Sequence, residues 1–270
     1  MLRRANGAIG VALLTLVAVT ALAGIIGTPY DPLVLSFEDR LEAPSAEHWL
    51  GTDQFGRDTF SRLVTAARTS LAVSFATVLL ALSAGTLIGA VSGYLGGWTD
   101  RIAMTVIDAL MAFPGLLLAL AIMAVVGPHR YGVVVALGLA YTPNVVRIVR
   151  GIVLSVREKE YVEASRALGN SELYTALTHA VPACISALTV IGTSIFGSAL
   201  LSESALSFLG LGVPPPAPTW GGLLADATMY MDAAPWLSIF PGLAISLTLL
   251  GINLFGDALR DYLDPRMNRL

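Results

Sequence analysis

The sequence predicts an all-α polytopic membrane protein with six transmembrane helices in a single domain, residues 1–270. Of its 270 residues, 55% are hydrophobic and only 13% are charged, whereas soluble domains carry about 25% charged residues. The chain is also long enough for six apolar runs of about 20 residues and their connecting loops. The predicted spans are residues 8–27, 70–95, 102–126, 131–152, 183–202 and 236–256.

The first apolar run, residues 8–26, follows Arg3 and Arg4. Residues 21–23, Ala-Leu-Ala, look like a small-residue cleavage site, so a secretory signal peptide is one alternative. The run is longer than the apolar core typical of a signal peptide, which favours an uncleaved first span. The two arginines place the N-terminus in the cytoplasm, because basic residues collect on that side of the membrane.

A polar connection at residues 28–69 follows on the outer side. Its prolines make the first part extended or turned rather than helical. Further along lies a glycine-bracketed turn, in which Asp53, Arg57 and Asp58 are predicted to pair with one another at the outer interface. A catalytic use of these carboxylates is the less favoured alternative.

The second span carries Gly85, Gly89, Gly93 and Gly97, which are four residues apart and therefore share one helical face. Small residues on such a face let two helix backbones approach closely in lipid. The face serves either static tight packing or a sliding contact during gating, and the pattern does not choose between them.

Asp108 lies inside the third span, so it is a candidate for the transport pathway or its gating. The alternative is that it reaches interfacial water or a neighbouring arginine from a position about two turns above the cytoplasmic end. Pro114 is expected to kink this span. The fourth span is predicted to be interrupted at residues 142–144, where Asn144 is a second pathway candidate. Arg147 and Arg150 are predicted to mark its cytoplasmic end.

The charge-dense segment at residues 156–181 connects the fourth and fifth spans. A short helix is predicted there, because four residues at helical spacing form one narrow face. Gly169 is expected to stop that helix, and a second short helix is expected to start at Ser171. Two short helices bent at a glycine suit insertion into a groove on a soluble partner. The narrow face consists of Tyr161, Ala164, Ser165 and Leu168.

The external loop at residues 203–235 holds a proline-rich stretch, residues 214–218, which keeps an extended shape at low entropic cost. This loop either contacts a delivering partner or caps the helix bundle. Glu203, where the fifth span closes, either faces the translocation path or lies at the outer interface as a solvated carboxylate.

The basic residues give the orientation of the chain. With the N-terminus inside, eleven lysine and arginine residues fall on the cytoplasmic side and five on the outer side, which accounts for all 16. This distribution follows the positive-inside rule. It places residues 156–181 in the cytoplasm, where ATP is.

Four stretches resemble the permease subunits of ATP-binding-cassette (ABC) importers of the dipeptide, oligopeptide and nickel transport family. Residues 163–169 together with 179–182 are similar to the EAA loop of that family, with Ser165 in place of its second alanine. The other three matches are residues 50–58 with the LGTDxxGRD signature, residues 208–221 with FLGLGxxPPxPxWG, and residues 253–266 with NxxGDxLRDxLDPR.

This resemblance implies the type I importer permease fold, with a cytoplasmic coupling helix that docks on a separate ATPase. It implies as partners a second homologous permease, two ATPase subunits and an extracytoplasmic solute-binding protein. The expected location is the bacterial plasma membrane, with both termini in the cytoplasm. The coupling residues that it implies are Tyr161, Glu163, Ala164, Ser165, Leu168, Gly169, His179 and Pro182.

No catalytic, cofactor or metal site is expected in this chain, and nothing indicates nucleic-acid binding. The phosphate loop G-x-x-x-x-G-K-[ST] needs a lysine after a glycine, but Lys159, the only lysine, lies between two glutamates. ATP and Mg²⁺ are therefore expected in the partner ATPases. The alternative function is an ion-gradient-driven secondary transporter, which calls for repeated halves and several buried carboxylates. An intramembrane enzyme is a third class, but neither G-x-S-x-G nor H-E-x-x-H is present.

Overall fold

The computed structural model describes residues 5–263, and its secondary structure is almost entirely helical. Among these residues, five helices are long and apolar enough to cross a membrane, and a bent pair makes a sixth if it counts as one span. A π-helical turn at Ala176–Ala180 joins α7 to α8. The helices are α1 (Ala5–Ile26), α2 (Thr59–Leu95), α3 (Gly97–Met111), α4 (Gly115–Val126), α5 (Arg130–Arg157), α6 (Glu160–Ala167), α7 (Glu172–Thr175), α8 (Val181–Ala183), α9 (Ile185–Phe208), α10 (Trp220–Ala227) and α11 (Trp236–Leu263).

The longest helix is α2, which has 37 residues and begins eleven residues before the predicted second span. Asp58 caps its N-terminus, where the carboxylate accepts a hydrogen bond from the Ser61 amide at 2.7 Å. Hydropathy does not mark this start, because the first turns carry polar residues such as Arg62, which is buried. At 1.5 Å per residue, α2 is about 55 Å long.

Glycines bring α2 and α5 into backbone contact. A Cβ atom on Gly85 would lie 2.4 Å from Cβ of Val145, and one on Gly89 would lie 2.7 Å from the Val146 carbonyl oxygen. Gly93 continues the same face. The close approach that the glycine spacing predicts therefore exists, and it forms a tight seam between these two helices.

Two predictions about the backbone are wrong. Gly97 does not belong to the glycine face, because it begins α3 with a φ of +59° and has nothing within 4 Å of its Cβ position. The fourth span is not interrupted either, since α5 runs unbroken through Pro143. Membrane helices tolerate such prolines where neighbouring helices and hydroxyls satisfy the freed backbone groups. Here Pro143 is buried, and the Thr142 hydroxyl donates to the Gly138 carbonyl at 2.7 Å.

The third span is broken at the predicted kink. α3 and α4 meet at an angle of 89°, with Pro114 immediately before α4 in an extended conformation. Proline supplies no amide hydrogen to continue the helix and clashes with the preceding turn. The result is a sharp corner rather than a gentle bend.

The segment between α9 and α11 folds back onto the ends of α2 and α9. α9 continues to Phe208, beyond the predicted end of the fifth span at residue 202. Gly221 at the start of α10 packs on α9, and its Cβ would lie 2.2 Å from the Ser204 carbonyl oxygen. The indole of the buried Trp220 donates to the Leu63 carbonyl at 3.1 Å. Helices α2, α9 and α10 thus form one junction at this end of the bundle.

α1 lies along α11 and α2 at the side of the bundle. Gly10 packs against the backbone at Phe255, and Gly24 packs against Val64. Most of the apolar side chains of α1 are exposed in the isolated chain, as suits a helix that faces lipid. The N-terminal arginines and residues 264–270, which include the end of the charged C-terminal motif, lie outside the described residues.

Candidate functional site

Residues 158–183, which we call the elbow, fold as the predicted pair of short helices. α6 ends before Gly169, whose φ is +84°. The Gly169 amide donates to the Arg166 carbonyl at 2.9 Å, and the Asn170 amide donates to the Ser165 carbonyl at 3.3 Å. This pattern closes the helix with a left-handed residue, a role that glycine fills at little steric cost.

The second arm of the elbow starts where the sequence predicts. The Ser171 hydroxyl accepts from the Tyr174 amide at 3.2 Å, and the Ser171 carbonyl accepts from the Thr175 amide at 3.0 Å. α7 then passes through the π-helical turn into α8, which contains Pro182. The fifth span therefore begins as a continuation of the elbow.

The narrow face predicted for α6 divides between two sides of the helix. Ser165 is buried, together with Val162, and points toward the second arm. Its hydroxyl lies 3.3 Å from the Thr175 hydroxyl and accepts from the Asn170 side-chain amide at 3.1 Å. Spacing alone could not separate these residues, because both sides of α6 carry a short stripe of small or apolar side chains.

The opposite side of α6 is open to a partner. Tyr161 is 50% exposed and Leu168 is 83% exposed, and Glu163 and Ala164 are also exposed. His179 on the second arm packs edge-on against the Tyr161 ring, with the centroids 5.6 Å apart. An exposed apolar surface of this kind on a polar segment indicates a binding face.

Two arginines hold the elbow to the helix bundle. Arg157, at the end of α5, donates to the Gly93 and Tyr94 carbonyls at the end of α2, at 3.1 and 3.4 Å. Arg166 of α6 lies over the Tyr94 ring and pairs with Glu172 at 3.3 Å. Sequence patterns do not predict the contacts to Gly93 and Tyr94, because each of them joins residues more than 60 positions apart.

Asp108 pairs with an arginine, as one of the two interpretations of its position predicts. Arg147 donates to its carboxylate at 2.7 Å. The α5 helix itself continues ten residues past Arg147 to Arg157. The other pathway candidate on α5, Asn144, is exposed. Arg147 was missed as a site residue because its partner lies 39 positions away.

Glu203 is completely buried in this structure, so it is not a solvated carboxylate at an interface. One carboxylate oxygen accepts from the Ser207 hydroxyl at 2.8 Å. The other has no hydrogen-bond partner among the described residues. The helix continues past residue 202 and carries Glu203 into the junction of α2, α9 and α10, which explains the difference from the prediction.

The glycine-bracketed turn forms an ion-pair network that differs from the predicted one. Asp53 pairs with Arg57 at 2.7 Å, as expected, and also with Arg62 at 3.3 Å. Asp226 of α10 adds a second carboxylate, 3.4 Å from Arg62 and 4.0 Å from Arg57. Burial raises the pKa of the Asp226 carboxyl, and the two arginines offset part of that rise. The network ties the loop before α2 to α10.

Asp58 does not join that network. Its carboxylate instead lies 2.9 Å from Nδ1 of the buried His48 and caps α2. The proline-rich loop stands beside the network and lines a cleft of ≈ 500 Å³ together with Arg57, Arg62 and Asp226. The loop before α2, the proline-rich loop and α10 are therefore connected by side-chain contacts and form one continuous surface.

Residues 85–269 match the family model described as a binding-protein-dependent transport system inner membrane component. The chain is 44% identical to the dipeptide transport system permease protein DppC of Alkalihalophilus pseudofirmus, over 85% of this chain and 75% of that protein. It is 42% identical to the glutathione transport system permease protein GsiD of Pectobacterium atrosepticum, over 96% of this chain and 86% of that protein. A putative peptide transport system permease protein of Brucella suis is 42% identical, over 99% of this chain and 90% of that protein.

Solved structures show the same fold. The inward-facing MetNI methionine ABC transporter gives a TM-score of 0.61 at 16% identity, covering 75% of this chain and 96% of that one. An amino acid ABC transporter gives a TM-score of 0.53 at 18% identity, covering 77% of this chain and 94% of that one. With the family match over residues 85–269, these findings identify the chain as a member of the inner membrane permease family of binding-protein-dependent ABC importers.

Proposed function

We propose that this chain forms half of the translocation pathway of an ATP-driven importer for peptides or similar small solutes. Family membership supports the role of a permease subunit, and the names of the relatives support a peptide-like substrate. The other half of the pathway is a second, homologous permease. A solute-binding protein delivers the substrate on the outer side.

The observation that carries the coupling mechanism is the exposed side of α6. Tyr161 and Leu168 stand open on a helix whose other side is fixed to the bundle. This arrangement suits docking into a groove of an ATPase subunit. When the ATPases close on ATP, α6 moves with them and carries the ends of α5 and α2 along. The opening of the pathway then switches from one side to the other.

The orientation follows from the excess of basic residues on the side of the elbow. The elbow and both termini lie in the cytoplasm, and ATP and Mg²⁺ bind in the partner ATPases. Lys159 is exposed on the elbow and is the only lysine in the chain. A membrane-impermeant amine reagent is therefore expected to label Lys159 in inverted vesicles but not in intact cells. Labelling of Lys159 in intact cells would place the elbow outside the cytoplasm and would contradict the proposed orientation.

Coupling is tested by substrate uptake into vesicles that contain the complete complex, measured together with ATP hydrolysis. Glu163→Ala is expected to lower the amount of solute imported per ATP while capture by the binding protein persists. Glu38→Ala, an exposed glutamate in the outer loop, is the matched control and is expected to behave like the wild type. Normal uptake by Glu163→Ala, or uptake without the ATPases, would count against the proposal.

The ion-gradient alternative gains no support from the family or the structural relatives. The same vesicles distinguish the two functions, because a secondary transporter would import solute on an imposed ion gradient in the absence of ATP.

A further inference from the structure

The ion pair between Asp108 and Arg147 stands on an open face of the chain. The Asp108 side chain is 59% exposed and the Arg147 side chain is 51% exposed. One more pair joins the same two helices, Asp100 with Arg150, and there two contacts of 2.5 and 2.6 Å bind a less exposed carboxylate. The Asp108 pair thus has a single contact where the Asp100 pair has two.

The distance of the exposed pair from the helix ends beside the elbow can be counted along α3 and along α5 separately. Asp108 lies eleven residues after the start of α3 and Arg147 ten residues before the end of α5, which is about 15 Å in each case. These two helix ends lie at the same level, because Arg157 binds the end of α2 just before α3 begins. α5 is a candidate membrane span, and so is the α3–α4 pair taken together, so the ion pair lies about three turns inside these spans, counted from the ends beside the elbow.

Charged side chains within a span almost always face the bundle interior or a water-filled cavity rather than lipid. The exposed surface around Arg147 is mostly polar or small, since Asn144, Gly151 and Ser155 share this face of α5. Ile148, which is 38% exposed, is the apolar residue among them. Lipid-type surface is present elsewhere on α3, where Val106 is 54% exposed. The two helices therefore have distinct polar and apolar exposed faces.

We infer that the α5 stripe of Asn144, Arg147, Gly151 and Ser155 lines the aqueous transport pathway, and that the Asp108–Arg147 ion pair closes it within the spans, about 15 Å from their ends beside the elbow. The inference rests on the proposed function, because it needs a pathway between this chain and a second permease. Opening requires α3 and α5 to separate at this pair, while the two-contact Asp100–Arg150 pair keeps them joined nearer the elbow. Because the chain turns by 89° at Pro114, α3 is a short helix that is not continuous with α4.

The lining is tested by thiol accessibility in the complete complex in vesicles. The single cysteine, Cys184, is buried, and Cys184→Ala provides the background. Asn144→Cys and Gly151→Cys probe the stripe without touching the ion pair, and at Gly151 an added Cβ meets nothing within 4 Å. Val106→Cys, on the apolar face of α3, is the control. The probe is a methanethiosulfonate with a quaternary ammonium group.

The stripe cysteines are expected to react about tenfold faster than the control or more, because thiolate formation needs water. Equal rates in complexes that still import solute would overturn the inference and leave the proposed function standing. The gate itself is tested by exchange of charges. Asp108→Asn is expected to let a small ionic dye leak from vesicles without ATP, and Asp108→Arg with Arg147→Asp is expected to reseal them. An Asp108→Asn complex that imports solute without leaking would refute the gate.

Discussion

Gly169 offers the sharpest test of the elbow, because its environment isolates one physical cause. Its φ of +84° lies in the left-handed region, and a Cβ atom there would meet nothing within 4 Å. A change to alanine therefore produces no clash inside this chain. Any effect on the elbow comes from the backbone conformation that the bend requires.

The size of that effect follows from the conformation. A residue with a Cβ costs about 1–2 kcal/mol in the left-handed region, and such a cost lowers the population of the bent elbow about 5- to 30-fold relative to alternatives. Asparagine enters this region more readily than alanine or valine. The expected order of coupling is therefore glycine, then asparagine, then alanine, with valine lowest.

The assay is the ratio of solute imported to ATP hydrolysed by the reconstituted complex. Gly242→Ala is the matched control, because Gly242 also has nothing within 4 Å of its Cβ position but lies inside α11 with an ordinary helical backbone. That variant is expected to couple like the wild type, since alanine is favoured over glycine in a helix by about 1 kcal/mol.

Two results would refute this reasoning. If Gly169→Asn fails as badly as Gly169→Ala, the position matters through its fit against the ATPase and not through its backbone angle. If all three variants couple normally, the bend at Gly169 is not what transmits the motion.

Two further predictions concern the bundle and are read from thermal unfolding of the purified complex. Asp58→Ala removes the cap of α2 and the partner of the buried His48, and the cap alone is worth about 0.5–2 kcal/mol. Asp58→Ala is therefore expected to lose more stability than Asp58→Asn, and equal losses would contradict the capping role. Gly89→Val overpacks the seam against Val146 and Val149, at a cost of about 1–3 kcal/mol. The same unfolding temperature for Gly89→Val as for the wild type would show that α2 and α5 can separate without penalty.

The sequence was most informative where a local rule applies. Gly169 and Ser171 set the two arms of the elbow because a helix stop and a helix cap each depend on one residue and its neighbours. Pro114 likewise marked the corner between α3 and α4. Hydropathy located each apolar run, but it missed the first turns of α2, where the buried Arg62 is ion-paired with Asp53 and Asp226.

Pairing between distant residues could not be predicted from the same patterns. Asp53 was expected to join Arg57 and Asp58, but its second partner is Arg62, and Asp226 enters from 164 positions beyond Arg62. Ser165 shows the matching difficulty on a helix, because spacing identifies a face without saying whether it turns inward or outward. Both facts depend on the packing of other elements around the residue.

The continuity of α2 has a consequence for how the two sides of the membrane communicate. One end of this helix is capped by Asp58 beside the outer ion pairs, and the other is gripped by Arg157 beside the elbow. No proline interrupts the 37 residues of α2. Gly85, Gly89 and Gly93 pack it closely against α5 in the half nearer the elbow. α2 is therefore one continuous helix between the Asp58 ion pairs and the elbow, and in the proposed mechanism a displacement at the elbow would reach those ion pairs through this single element.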